Sequence, residues 1–441
     1  MFDTTIYMIM RCIHHAPLVI ILELYHNYSR RREIVKIHNK EITMNQSNCI
    51  VAQSGGPTVA INASLAGVIA GVKNSEKYDI CYGAVNGILG ILNENYLNLS
   101  DIFADDANLE KLKTTPAMYL GSCRHKLPDY KDDDSPYVYI FHQFDKLSIK
   151  AFFYIGGNDS MDTVLKLSDY AKKINSDVKI VGIPKTIDND IAMTDHSPGY
   201  GSAARFIAAS TQEVGEDVKS LPIHVCIMEA MGRNAGWITA ASALARRKQG
   251  DAPHLIYLPE RNFNEDEFLE DVAVLQKKQG GVVVLVSEGL HDENGESIVP
   301  PIFKSERAVY YGDVSSHLAN LVVKKLGIKA RSEKPGLCGR ASVALQSSVD
   351  REEARQAGIE ALKSAVEGHS GVMVGFERVP GTVYQMKTRL VPIKEVMLYE
   401  RKMPDSFINE RGNDVTQEFV DWCRPLIGEP LPEFLNFKDY L

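Results

Sequence analysis

After residue 48 the chain repeats one local pattern: a short run of apolar and β-branched residues, a turn rich in glycine or acid, then a stretch with helical spacing. Residues 49–52 lead into Ser54-Gly55-Gly56-Pro57, and residues 61–72 carry the helical spacing. Residues 151–155 lead into Gly156-Gly157-Asn158-Asp159 and then a helix-like stretch over 161–174. Residues 178–183 lead into Pro184-Lys185-Thr186-Ile187-Asp188-Asn189-Asp190, 223–228 into Met231-Gly232-Arg233, and 282–286 into Ser287-Glu288-Gly289. Apolar runs of this length alternating with helices indicate parallel strands covered on both faces, hence a doubly wound α/β architecture. In such sheets ligands bind beyond the carboxyl ends of the strands, where all of these turns fall.

Composition narrows the partners. With 44% hydrophobic and 24% charged residues, the 441-residue chain reads as an ordinary soluble protein of two or three domains. Lys and Arg total 49 against 57 Asp and Glu, a formal charge of −8, so no broad field favours nucleic acid or anionic lipid. An anionic substrate must therefore be held by a local group of cations. The seven cysteines are odd in number, widely spaced and never form Cys-x-x-Cys, which points to a reduced, cytoplasmic setting. The apolar run at 16–24 is too short to span a bilayer, contains Glu23 and is followed by three arginines, so neither a membrane anchor nor a secretory signal is expected. Regular alternation starts only after Met44, a candidate start codon, and residues 1–47 are read as an extension outside the mature fold.

The turns carry the chemistry. Ser54-Gly55-Gly56 between strand and helix permits close backbone approach to an oxyanion. The chain contains neither G-x-G-x-x-G nor G-x-x-x-x-G-K-[ST] at such a turn, so dinucleotide binding and P-loop chemistry lose support. Gly156-Gly157-Asn158-Asp159-Ser160 repeats the arrangement with an added carboxylate, although Asp159 or Ser160 could equally cap a helix starting near Met161. Between Lys185 and Asp190 lie one cation and two acids. Together they supply a base for a hydroxyl and a counter-charge for transferring phosphoryl oxygens. Met231-Gly232-Arg233 adds a guanidinium suited to a sugar phosphate.

In the order SGGPTVAIN, GSCR, GGNDSMDT, PKTIDND, GYGSAARF, MGRNAGW and VSEG, followed by a late Arg-containing segment, the chain resembles the phosphofructokinases, and within them the diphosphate-dependent enzymes. The resemblance implies two doubly wound, mostly parallel-sheet domains with the active site in the cleft between them. It implies a donor domain over 48–195, joined by a segment around 341–400, an acceptor domain over 196–340, and a C-terminal tail over 401–441. It implies transfer of a phosphoryl group from diphosphate to the 1-hydroxyl of fructose 6-phosphate, reversibly and with Mg²⁺, in a homodimer or homotetramer.

Residue by residue, the resemblance assigns Asp188 as the base, with Lys185 and Asp159 also catalytic. Gly55, Gly56, Arg124, Asp159 and Lys185 would hold diphosphate. Thr186, Ile187, Asp188, Met231, Gly232, Arg233, Glu288, Arg331 and Arg340 would hold fructose 6-phosphate, one of the last two arginines serving a neighbouring subunit. Asn158 and Asp190 would hold the metal. ATP-using relatives carry glycine at the positions of Asp159 and Lys185. A carboxylate at Asp159 would lie where a nucleotide's α-phosphate should sit, and Lys185 suits a short, highly charged donor. Three departures stand out: Asn158 replaces an acid, His224 an arginine, and Leu337 a His or Tyr. Because Leu337 alters the pocket, sedoheptulose 7-phosphate is a candidate second acceptor. The competing readings are an ATP-dependent 6-phosphofructokinase and a non-catalytic regulatory subunit that binds sugar phosphate.

Overall fold

The computed structural model describes residues 47–304, 309–397 and 399–435; the proposed extension lies almost wholly outside them. Thirteen strands occur among the described residues: β1 (Asn48–Gln53), β2 (Cys81–Ala84), β3 (Tyr96–Asn98), β4 (Ile149–Gly156), β5 (Lys179–Pro184), β6 (Val225–Ala230), β7 (Leu255–Tyr257), β8 (Val282–Ser287), β9 (Pro301–Lys304), β10 (Val309–Tyr311), β11 (Ala330–Glu333), β12 (Val372–Arg378) and β13 (Met386–Pro392). They form a seven-stranded sheet in the order β13-β12-β5-β4-β1-β2-β3, a four-stranded sheet β11-β6-β8-β7, and the hairpin β9-β10. In the large sheet only the edge strands β3 and β13 run antiparallel to their neighbours; the four-stranded sheet is parallel throughout.

Period-two alternation explains the apolar runs. In β1, Cys49 and Val51 enter one core while Ile50 and Ala52 enter the core on the opposite face. In β8, Val283 and Leu285 face one way and Val282, Val284 and Val286 the other. Both faces of both sheets are thus buried, as a parallel sheet requires. Chain order reverses between β1 and β4, since β2 follows β1 on one side and β4 returns on the other. That reversal opens a crevice at the carboxyl ends of β1 and β4, the position where open α/β sheets take ligands.

Four helices position the site: α1 (Ile61–Lys73), α2 (Asn158–Lys173), α3 (Tyr200–Ser220) and α4 (Ser348–Val366). Helix α2 starts at Asn158, three residues before the expected Met161, with Gly157 as a cap that makes no side-chain bond. Neither Asp159 nor Ser160 caps it, so the capping alternative fails and the Asp159 carboxylate is available for other partners. Helices α1 and α4 cross at near backbone contact, because a Cβ at Gly67 would lie 2.1 Å from the Arg355 carbonyl oxygen and one at Gly358 would lie 2.1 Å from that of Ser64. Residues 401–435, read from the sequence as a tail, add Met403, Phe407, Phe419, Cys423 and Ile427 to the core beneath the four-stranded sheet.

Candidate active site

The Gly55-Gly56 turn leaves β1 at the crevice. Gly55 adopts φ 82°, a left-handed conformation that disfavours side chains. Its carbonyl accepts a 2.7 Å bond from the Ser122 hydroxyl, and Ser54 donates through its hydroxyl to the Cys123 carbonyl at 3.4 Å. The Gly121-Ser122-Cys123-Arg124 loop is thereby laid against the turn, with Arg124 exposed beside it. Lys185 lies beneath, only 2% exposed, and donates through Nζ to the Gly56 carbonyl at 2.7 Å. A Cβ on Gly55 would come within 3.2 Å of that ammonium, and one on Gly56 within 3.5 Å of an Arg340 guanidinium nitrogen. Burial lowers the Lys185 ammonium to about 8, with Asp188 and Asp190 opposing the fall and Arg340 adding to it.

The loop after β5 closes on itself. Thr186 N donates to Pro198 O at 3.1 Å, and Ser197 N to the Asn189 side-chain oxygen at 2.9 Å. Asn189 itself sits at φ 56° between the two acids, a conformation that asparagine tolerates better than most residues. Burial pushes Asp188 up to about 6, reinforced by the charges of Asp190 and Glu288. Asp190 is raised by burial as well, and its Oδ2 accepts a 3.0 Å bond from the Asn158 amide. That pair, with the Thr186 hydroxyl, offers only hard oxygen donors beyond the bond they share. Among the described residues no three His, Cys, Asp or Glu side chains gather as a metal cluster. The set fits a Mg²⁺ held mainly through substrate oxygens and water, which typically needs one or two carboxylates.

On the facing sheet, Gly232 at φ 116° donates its N–H to Glu288 Oε1 at 3.3 Å, and the Ser287 hydroxyl bonds the Gly232 carbonyl at 2.6 Å. This locks the turns after β6 and β8 together, with Arg233 exposed. Ile187, Glu229, Met231, Phe206, Gly336 and Gly339 line a small cavity of about 20 Å³.

The structure therefore gathers Gly55, Gly56, Lys185, Thr186, Asp188, Asp190, Asn158 and Arg340 in one region, and Met231, Gly232, Arg233 and Glu288 in another that touches it through Ile187 and Glu288. It does not bring Arg331 and Arg340 to one group. Arg340 stands at the glycine turn and acts on Lys185 and Asp188, whereas Arg331, on β11, acts on His224. Leu337 is 64% exposed.

Two partnerships escaped the sequence. Asp159 forms a 2.9 Å ion pair with Lys126, both largely exposed, so its carboxylate is paired rather than bare. Buried Glu229 is paired with Lys334 at 2.7 Å. Each joins residues on separate loops, and only the basic character of the Arg124-His125-Lys126 stretch hinted at the first.

Comparison with known proteins agrees with this geometry. Residues 48–365 match the sequence model of the Phosphofructokinase family. The chain is 40% identical over 405 residues to a pyrophosphate–fructose 6-phosphate 1-phosphotransferase of Rhodospirillum rubrum, covering 90% of this chain and 98% of that protein. It is 37% identical to one of Xanthomonas campestris pv. campestris, covering 90% and 97%. A crystal structure of a pyrophosphate-dependent phosphofructokinase from Marinobacter aquaeolei superposes with a TM-score of 0.79 at 35% identity, covering 89% of this chain and 94% of that one.

Proposed function

Since this chain belongs to the phosphofructokinase family, we propose that it is a diphosphate–fructose 6-phosphate 1-phosphotransferase, as its relatives at 34–40% identity are named. The reaction moves a phosphoryl group from inorganic diphosphate to the sugar 1-hydroxyl, giving fructose 1,6-bisphosphate and phosphate.

The observation that carries the assignment of roles is the buried Lys185 ammonium bonded to Gly56 beside Asp188. An ammonium kept dry at a glycine turn interacts strongly with any anion seated there. Diphosphate is small enough to lie between Gly55-Gly56, Lys185, Arg124 and Arg340, and its charge restores the ammonium to full protonation. Asp188, raised toward neutrality, is a stronger base than an exposed carboxylate and takes the 1-hydroxyl proton as the bond to phosphorus forms. Thr186, Ile187, Met231, Gly232, Arg233 and Glu288 hold the sugar phosphate, so attack proceeds within one assembled complex. Mg²⁺, held by Asp190 and Asn158 with water, would neutralise charge on the transferring group. Arg331 lies apart on the edge strand β11, and its charge, after burial, holds the neighbouring His224 imidazole below its ordinary value and thus neutral. In a homodimer or homotetramer Arg331 would serve the acceptor phosphate of a second copy.

The test compares donors side by side at fixed fructose 6-phosphate and Mg²⁺. Turnover with diphosphate at least about tenfold above that with ATP is expected; equal or greater turnover with ATP overturns the donor assignment.

A further inference from the structure

We propose that His196 is a positioning residue: an imidazolium clamped between Asp195 and Glu353, it fixes the loop that carries Asp188 and Asp190. The proposal rests on the reading of Asp188 as the base.

His196 is 2% exposed, with Nδ1 2.9 Å from Asp195 Oδ1 and Nε2 2.7 Å from Glu353 Oε2. Both ring nitrogens face carboxylate acceptors, and only a doubly protonated ring satisfies both. The clamp is itself held. Arg378 on β12 and the Trp422 indole donate to Asp195 at 3.1 and 3.2 Å, and the Tyr384 hydroxyl donates to Glu353 at 2.5 Å. The imidazole packs against Phe376 of β12, ring centres 5.0 Å apart.

The connection to the chemistry is short. Ser197, next in sequence, bonds Asn189 between the two acids, and Pro198 bonds Thr186. Asp350, one turn before Glu353 on α4, accepts from Gly199 N and Ser202 N at 2.7 and 3.0 Å. Helix α4 thus grips the return limb of the loop at two points while the acids occupy the outgoing limb. The hydrogen-bond partners of His196 are Asp195 and Glu353 rather than Asp188, so its role is geometric.

The charged and titratable groups around His196 are Asp195 from the loop, Glu353 and Asp350 from α4, Arg378 from β12, Tyr384 after β12, and Arg401 from the C-terminal segment. Burial alone would discharge the ring; Glu353 and Asp195 outweigh it and raise the imidazole to about 9. A raised histidine stabilises fully below its unfolded value of about 6.5 and loses that contribution as pH rises through about 9.

The test is the pH dependence of kcat with diphosphate and fructose 6-phosphate for wild type, His196→Asn and Glu353→Gln. No wild-type turnover at neutral pH would overturn the functional reading, and this proposal with it. With turnover present, Glu353→Gln keeps its shape but withdraws one negative charge. It is expected to move the alkaline fall of kcat at least about one pH unit lower, with KM within about twofold and the acid limb unmoved. Lys185 also loses its proton on the alkaline side, but it has no bond to Glu353, so a shift in this variant reports His196. An unmoved alkaline limb, or a uniform loss at every pH, overturns the proposal. His196→Asn is expected to lower kcat about tenfold or more throughout; unchanged turnover overturns it. Should both variants misfold, ¹⁵N NMR of the wild-type imidazoles decides. The ring still doubly protonated at pH 8 is expected to lose its proton where kcat falls, and a separation greater than about one pH unit overturns the proposal.

Discussion

The role proposed for Asp188 sets function against stability. Burial and two neighbouring acids raise it from an ordinary 3.8 to about 6. The ionised form therefore costs stability progressively as pH rises from about 4 to about 6, and the full cost persists above that. Asp188→Asn is expected to lower kcat by about 10²–10⁴ while raising unfolding stability at neutral pH by on the order of 2–3 kcal/mol. Steady-state kinetics and denaturant melts on one preparation check both signs. In the wild type, kcat/KM should rise with pH to a plateau through about 6, where the free base loses its proton. At the donor mouth, Lys126→Gln leaves Asp159 without its 2.9 Å partner, and KM for diphosphate is expected to rise by about threefold or more as an uncompensated negative charge faces the donor. Asp159→Gly instead frees Lys126, and kcat/KM for ATP is expected to rise about tenfold or more in a side-by-side donor assay. The acids, the lysine and the glycine turns were legible in the sequence because each needs one residue type beside a strand end. Lys126 and His196 were not. Their meaning lies in partners on other segments, Glu353 standing 157 residues from His196.

Among the elements, the crossing of α1 and α4 binds the donor turn to the acid loop, since α1 follows Gly55-Gly56 and α4 grips residues 196–202. Gly358→Ala would put a methyl 2.1 Å from the Ser64 carbonyl. The helices must separate, with an expected loss of about 3 kcal/mol in chemical denaturation and reduced kcat in the fraction that folds. Strands β1, β4, β5, β6 and β8 were readable as apolar runs because both their faces are buried. β2 was missed because it has four residues including Gly83, and β13 because at the sheet edge Lys387 is exposed and Arg389 only half-buried, interrupting the apolar run. The start of α2 was misplaced because Gly157, without a side chain, gives no capping signal.

Across the whole molecule, the chain crosses from one sheet to the other more than once. Residues 372–392 complete the seven-stranded sheet, and residues 403–427 then pack beneath the four-stranded one. Between them Arg401 places its guanidinium 4.3 Å from the Trp237 ring and donates its backbone N–H to Asp190 O at 2.8 Å. A chain ending at Thr416 lacks Phe419, Trp422, Cys423, Leu426 and Ile427, and is expected to be insoluble or to lose its cooperative thermal transition by circular dichroism. The sequence could not disclose this, because the helix carrying Phe419 has only seven residues and shows its apolar face for barely two turns. Among the described residues no helix is long and apolar enough to cross a membrane.

The frame that holds the Asp188 loop is written largely in main-chain atoms: Thr186 to Pro198, Lys185 N to Gly156 O, Arg401 N to Asp190 O. No replacement short of proline deletes an amide hydrogen. Substitutions on the neighbouring side chains thus leave the loop that carries Asp188 in place. On the roles proposed above, the choice of donor can be re-specified by side chains without rebuilding the scaffold that holds the acids.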